Sequence, residues 1–331
     1  MNPVKVGLLG LGTVGGGTFN VLSRNADEIS RRAGRGIVVS HAAAREYDAG
    51  GLPGIDGIDV GDDAFALVQN PDVDIIVELI GGYEPARELV LQAIANGKHV
   101  VTANKALIAM HGNEIFAAAQ DKGVMVAFEA AVAGGIPIIK ALREGLSANR
   151  IEWLTGIING TGNFILTEMR DKGSDFADVL KEAQALGYAE ADPTADVEGW
   201  DAVAKTIILA NAILGGELKV SDVEREGITD ISSERIRAAK SKGKRIKLIA
   251  EAYSENGVVR AKVGPKQVPL TNPFAVISGT LNALTVITDG LGDVTVIGGG
   301  AGGEGTAHGL LSDIIAIFRV RARTNSSRHL T

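Results

Sequence analysis

The stretch VKVGLLGLGTVGGGTFNVL, Val4 to Leu22, decides the fold. A short apolar strand, Val4 to Leu9, runs into a G-x-G-x-x-G formed by Gly10, Leu11, Gly12, Thr13, Val14 and Gly15. A helix follows from about Thr18. In a chain with 43 glycines the motif alone says little. Placed after a strand and opening a helix, it has the context of a dinucleotide-binding turn. Gly10 allows the tight turn and Gly12 lets the backbone approach a pyrophosphate. Gly15 lets helix and strand pack closely, with phosphates at the helix N-terminus. The alternative is a plain turn before a helix.

Strands and helices then alternate. Residues 36–43, 74–80, 99–102 and 124–128 read as strands, with helices over 86–95 and 113–122. That alternation predicts an α/β domain with a doubly wound parallel sheet of Rossmann type over residues 1–130. Such sheets bind ligands beyond the carboxyl ends of their strands. The loops to watch are therefore 10–15, 44–46, 80–82 and 103–105, which bring in Ile80, Gly81 and Lys105. An acid at the end of the second strand binds ribose hydroxyls, whereas an arginine accepts the extra phosphate of NADP. AAAREYD puts Arg45 there beside Glu46, which favours NADP with dual use of NAD. A solvated loop arginine is the bland alternative. Lys105, in VVTANKALIA, follows a buried-type strand. It opens a helix where its charge opposes the dipole, which favours a functional role over a structural one.

Composition bounds the rest. The chain has 331 residues, 45% hydrophobic and 22% charged, enough for about two domains. A net charge of −7 argues against a nucleic-acid surface. No apolar run approaches the ~20 residues that span a bilayer, and the glycine-broken N-terminus is no signal peptide. With no cysteine there is no disulfide, thiolate ligand or thiol nucleophile, which suits a cytoplasmic protein. The five histidines show no metal spacing.

The second half, residues 131–318, reads as an α+β domain. Its strands fall over 150–158, 244–252, 258–263, 282–288 and 294–297, and its helices over 161–170, 176–186 and 200–214. A final helix over 306–318 is free to pack back on the first domain. Residues 319–331 lose apolar periodicity and are expected to be disordered. Within this half, ADPTADVEGWDAVAKTIILA leads four acids and Lys205 into an apolar run. Acids in a first turn and an i,i+4 Asp201–Lys205 pair are ordinary helix chemistry. The same spacing also puts Asp201 and Lys205 on one helix face, where both can look into one pocket.

GLGTVG, VELIGG (77–82), TANK (102–105), FEAAVAGGIPII (128–139), NGTGNFIL (159–166), GYAEADPTADVEGWDAVAK (187–205) and GAGGEGTA (300–307) together resemble homoserine dehydrogenase, from near the N-terminus to about residue 318. The resemblance implies reversible NAD(P)-dependent interconversion of L-homoserine and L-aspartate 4-semialdehyde, on the route to threonine, methionine and isoleucine. It implies that Glu190, Asp196 and Asp201, with Gly160 and Thr161, line the substrate pocket. Lys205 becomes the general acid/base and Lys105 a second lysine on the opposite wall. Gly187 and Gly302 join the cofactor-binding residues. A monovalent cation, usually sodium, falls to Glu129, Val132, Gly134 and Ile136, where sequence alone reads a strand and a glycine-permitted bend. A homodimer through the second domain is also implied.

A lysine with a pKa near its free ~10.4 donates protons readily and accepts them poorly at neutral pH. Homoserine oxidation is therefore expected to speed up at alkaline pH. The NGTGNFIL turn departs from the family pattern, with Gly162 and Phe164 where Thr and Tyr are common. That departure is expected to loosen substrate-side hydrogen bonding. About a dozen residues follow Phe318, so no C-terminal ACT domain and no threonine inhibition through one are expected. An aspartate-semialdehyde dehydrogenase is excluded, because its chemistry runs through a cysteine thiolate. Another two-domain dehydrogenase, or a catalytically silent cofactor sensor, remains as a rival that turnover of homoserine separates.

Overall fold

β1 (Val4–Leu9) buries Val4, Val6 and Leu8 fully on one side and Leu9 on the other, as a central parallel strand must. The computed structural model describes residues 2–327, with side chains to residue 319. After β1 come α1 (Thr13–Arg24), α2 (Ala26–Ala33), β2 (Ile37–Ala43), β3 (Asp59–Gly61) and α3 (Ala64–Gln69). β4 (Ile75–Glu78), α4 (Ala86–Ala95), β5 (His99–Thr102), α5 (Lys105–Lys122) and β6 (Val126–Ala127) follow. Among the described residues these strands form one six-stranded sheet in the order β3-β2-β1-β4-β5-β6, parallel throughout. This is the expected doubly wound sheet. α3, α4 and α5 cover one face through Val68, Leu89 and Leu107. α1, α2 and the chain's last helix (Gly303–Ser327) cover the other through Phe19, Ile29 and Leu310. Each fully buried Leu or Val contributes about 1.5–3 kcal/mol.

Contacts divide the chain into a first unit, Met1–Gly135 with Gly302–Thr331, and a second, Ile136–Ala301. In the first, the last helix lies so close on α1 that a Cβ on Gly17 would come 2.9 Å from the Gly303 carbonyl. The helix runs past Phe318, the end expected from apolar periodicity. Residues 319–327, where the expected disordered tail begins, hold no Gly or Pro to stop it. Residues 328–331, where the rest of that expectation falls, lie outside the described residues.

The second unit begins with a short turn, α6 (Ile138–Lys140), then β7 (Ile151–Ile157), α7 (Gly160–Lys172), α8 (Phe176–Ala185), α9 (Thr194–Val197) and α10 (Trp200–Leu214). β8 (Val223–Arg225), α11 (Ser233–Ser241), β9 (Lys244–Glu255), β10 (Val258–Pro269), β11 (Leu281–Thr288) and β12 (Gly292–Gly299) complete it. Its described strands form a second six-stranded sheet, β12-β11-β7-β9-β10-β8, antiparallel except where β8 joins β10. Leu154, Ala250, Ala252 and Leu284 meet Leu209 of α10 on one face. On the opposite face Trp153 and Tyr253 stack 4.4 Å apart. Among the described residues no helix is long and apolar enough to cross a membrane.

Candidate active site

The turn from β1 to α1 has the form its glycines require. Gly10 sits at φ +107°, and its amide donates to Ala43 O at 2.9 Å, tying the turn to the end of β2. A Cβ on Gly15 would fall 2.1 Å from Gly10 O, so helix and strand could not otherwise approach. A Cβ on Gly12 would meet nothing within 4 Å, so its outer side is open. Gly12 caps α1 without a side-chain hydrogen bond among the described residues. Those first-turn amides, with Leu11, Thr13 and Val14 around them, suit an anion.

At the ends of β4 and β5 a buried carboxylate organises two further loops. Glu78, wholly shielded from solvent, accepts from the Ile80 and Gly81 amides at 2.9 and 3.1 Å and from Thr102 Oγ1 at 2.7 Å. Asn104 Nδ2 reaches Glu78 at 3.5 Å and Gly82 O at 2.8 Å, while Asn104 Oδ1 caps α5 by accepting from Leu107 N at 3.0 Å. Lys105, the first residue of α5, is thereby held at the sheet's carboxyl edge. Arg45 lies exposed just past β2, next to exposed Glu46.

In the second unit an acid of α9 and an acid and lysine of α10 converge on the strand-to-helix turn after β7. Lys205 Nζ donates to Asp201 Oδ2 at 2.8 Å and to Ile158 O at 2.9 Å. Both side chains are largely buried, 12% and 6% exposed. The next residue, Asn159, donates from Nδ2 to Asp196 Oδ1 at 2.6 Å and to Asp201 Oδ2 at 2.8 Å. Its Oδ1 accepts from Gly162 N at 2.6 Å and caps α7. Burial pushes the Asp196 carboxyl above the usual aspartate range; the Asn159 hydrogen bond opposes this and the nearby Asp201 charge adds to it. Gly160 and Thr161 form the first turn of α7, and Thr161 Oγ1 donates to Tyr188 O at 2.7 Å. Two carboxylates and an ammonium around a capped helix start can hold a cation and move a proton.

Residues 10–129 match the family model of the homoserine dehydrogenase NAD-binding domain, and residues 137–315 match that of homoserine dehydrogenase itself. The chain belongs to the homoserine dehydrogenase family. A homoserine dehydrogenase of Pseudomonas aeruginosa is 56% identical, the match covering 99% of this chain and 75% of the relative. One from Neisseria gonorrhoeae is 51% identical, with 97% and 73% covered. The solved homoserine dehydrogenase of Thiobacillus denitrificans superposes with a TM-score of 0.93 at 58% identity, covering 98% of this chain and 75% of that one. A hyperthermophilic archaeal homoserine dehydrogenase in complex with NADPH gives 0.80 at 28% identity, with 95% and 97% covered. The protein is thus an NAD(P)-binding oxidoreductase that interconverts L-homoserine and L-aspartate 4-semialdehyde.

The homoserine dehydrogenase resemblance singles out other residues as well. Glu190 is exposed, and its side chain makes no hydrogen bond among the described residues. Gly187, at φ +75°, ends the turn after α8, and Gly302, at φ +109°, precedes the last helix. Glu129 is buried and its amide donates to Asp313 Oδ2 at 2.8 Å. Beyond Val132, Ala133 and Gly134 both take left-handed φ, and Ile136 O accepts from Ile138 N at 2.8 Å. In the departing turn, Gly162 serves the cap, while buried Phe164 meets Tyr188 edge-on at 4.9 Å. Asn159, Glu78 and Asn104 are the residues that sequence reasoning did not single out. The available signals were an Asn one residue before a helix and an acid closing an apolar strand.

Proposed function

We propose that the cluster of Asn159, Asp196, Asp201 and Lys205 is the substrate end of the homoserine dehydrogenase reaction. The observation that carries this is the bifurcated placement of Lys205 between the Asp201 carboxylate and the Ile158 carbonyl. Lys205 is the proton carrier at the substrate hydroxyl oxygen. Protonated, it donates to that oxygen as the aldehyde is reduced; neutral, it takes the hydroxyl proton as homoserine is oxidised. Asp196 and Asp201 hold the substrate ammonium, joined by Glu190, with Gly160 and Thr161 beside it. Lys105 is the second catalytic lysine. NAD(P), when bound, supplies the hydride acceptor. Gly10 to Gly15, Ile80, Gly81, Gly187 and Gly302 hold it, and the open side of Gly12 supports that fit. Arg45 takes the phosphate that distinguishes NADP, with Glu46 blunting the preference.

Glu129, Val132, Gly134 and Ile136 hold a sodium ion. The support is a buried Glu129 and the left-handed pair Ala133–Gly134, which turns successive carbonyls. The protein acts as a cytoplasmic homodimer joined through the second sheet. Ile297 and Ile287, 53% and 38% exposed on the face that carries Trp153 and Tyr253, support that face as the interface. Initial rates of homoserine oxidation with NAD and with NADP, with and without sodium, test the reading. Saturable turnover, faster with NADP and dependent on sodium, is expected. Equal turnover by Lys205→Ala would remove Lys205 from its role.

A further inference from the structure

We propose that Asn159 is a positioning residue for this site: by donating to Asp196 and Asp201 from one amide nitrogen, it makes two carboxylates a single acceptor for the substrate ammonium. This rests on the substrate reading given above.

The geometry is specific. An amide NH2 carries two hydrogens, and here each has a carboxylate, at 2.6 and 2.8 Å. The two acids come from different elements, Asp196 from α9 and Asp201 from α10. The backbone between them bends at Gly199, at φ +82°, where Gly199 N donates to Asp196 O at 3.1 Å, and a side-chain tie joins the two carboxylates across that bend. Asn159 makes that tie from a third element, and its own orientation is locked by the cap to Gly162 N. Its preceding carbonyl, Ile158 O, receives Lys205. One backbone turn therefore sets both the acid pair and the lysine.

The charge argument follows. Asp196 faces Asp201 and Lys205 from α10 and Thr161 from α7, while Glu198, its neighbour, is engaged by Arg225 at 3.1 Å. Burial and the Asp201 charge favour a protonated Asp196, and the Asn159 donor works against them. An ammonium ligand requires the ionised form. Loss of the donor should therefore weaken substrate binding and shift its acid limb to higher pH.

Asn159→Ser and Asn159→Asp test this, because both retain a side-chain oxygen able to cap α7. In Asn159→Ser, kcat/KM for homoserine should fall about tenfold or more, mostly through KM, with kcat down by less than about threefold. The acid limb of kcat/KM should rise by about one pH unit, and further in Asn159→Asp, which adds a third carboxylate. Unchanged KM and limb in both variants, or an equal loss of kcat and kcat/KM accompanied by lower thermal stability, overturns the proposal. A second arm follows the Asp196 carboxyl carbon by NMR titration in the free protein, which needs no turnover. Its midpoint should rise in Asn159→Ser, and an unmoved midpoint sinks the idea. A parent protein that fails to oxidise homoserine would refute the substrate reading instead, leaving this arm to judge Asn159.

Discussion

Asn104 in the first unit and Asn159 in the second occupy the same kind of position. Each follows a strand at its carboxyl end, each caps the next helix through Oδ1, and each turns its amide nitrogen towards a buried carboxylate. What surrounds the carboxylate differs. Among the described residues, Glu78 accepts its hydrogen bonds from neutral groups: two backbone amides, a threonine hydroxyl and, at 3.5 Å, the Asn104 amide. Asp201 shares one oxygen between Asn159 and the Lys205 ammonium. A carboxylate filled by neutral donors from several loops anchors those loops. One sharing its oxygen with a lysine belongs to a charge set that can rearrange when a ligand arrives or a proton moves. The first arrangement ties together the loops after β4 and β5, whereas the second holds groups able to exchange a proton.

The largest effect expected from that contrast is on rate. Lys205→Ala should lower kcat for homoserine by about 10²–10⁴-fold, the usual worth of a positioned acid/base, while cofactor affinity stays within about twofold. Stopped-flow single turnovers alongside cofactor titration read the two separately. A comparable loss in cofactor affinity would mean that the second-unit cluster shapes binding as Glu78 does, and the comparison would fail.

Glu78→Ala probes the other side. It leaves the Ile80 and Gly81 amides and the Thr102 hydroxyl without their buried acceptor, at a cost of about 1–3 kcal/mol for each unsatisfied donor. A fall of several degrees in the unfolding temperature is expected, together with weaker cofactor binding as the 80–82 loop loosens. Unchanged stability would show that Glu78 is not the anchor.

How far the sequence reveals this depends on how local each feature is. The β1–α1 turn is legible because its glycines, strand and helix are contiguous. Asp201 and Lys205 are legible because they lie four apart on one helix. Asn159 escapes attention because its partners are 37 and 42 residues away, so NGTG points only to Gly160 and Thr161. Glu78 hides inside DIIVELI, where it reads as part of a strand, with its Thr102 partner 24 residues on. β3 is three residues of Asp-Val-Gly, recognisable only by pairing beside β2. The last helix overruns its apolar stripe because backbone hydrogen bonding continues where no residue breaks it.

A third buried charge extends the comparison to a lysine. Lys247, under α7, donates to Asn163 Oδ1 at 2.9 Å and to Ile277 O. Burial, reinforced by the Arg170 and Arg245 charges, pushes its pKa down to about 7. Between that value and the ordinary ~10.4 the unfolded chain holds a proton that the folded one lacks, so this group makes stability rise with pH across that window. Below about 7 both states are protonated and the penalty of burying the charge is at its full value. In Lys247→Met the pH slope of the unfolding free energy should flatten, by about 1–4 kcal/mol across the window. Urea unfolding at stepped pH measures it, and a slope identical to the parent's would mean that Lys247 is not the group responsible.

The smallest expected effect is the sharpest test of the opening contrast, because it applies one substitution to both asparagines. Asn104→Ser keeps a capping oxygen for α5 and gives up the Gly82 contact at 2.8 Å and the long approach to Glu78. Glu78 would still hold Thr102 and the Ile80 and Gly81 amides, so its surroundings change little. A stability loss of about 1 kcal/mol or less is expected, with cofactor KM raised slightly and the acid limb of kcat/KM for homoserine unmoved. Asn159→Ser should have the opposite profile, with substrate KM and the acid limb moving while the cofactor KM holds. A limb that moved equally in both variants would mean that the Glu78 charge also reaches the reacting group. The distinction between an anchoring carboxylate and a reacting one would then have to be abandoned.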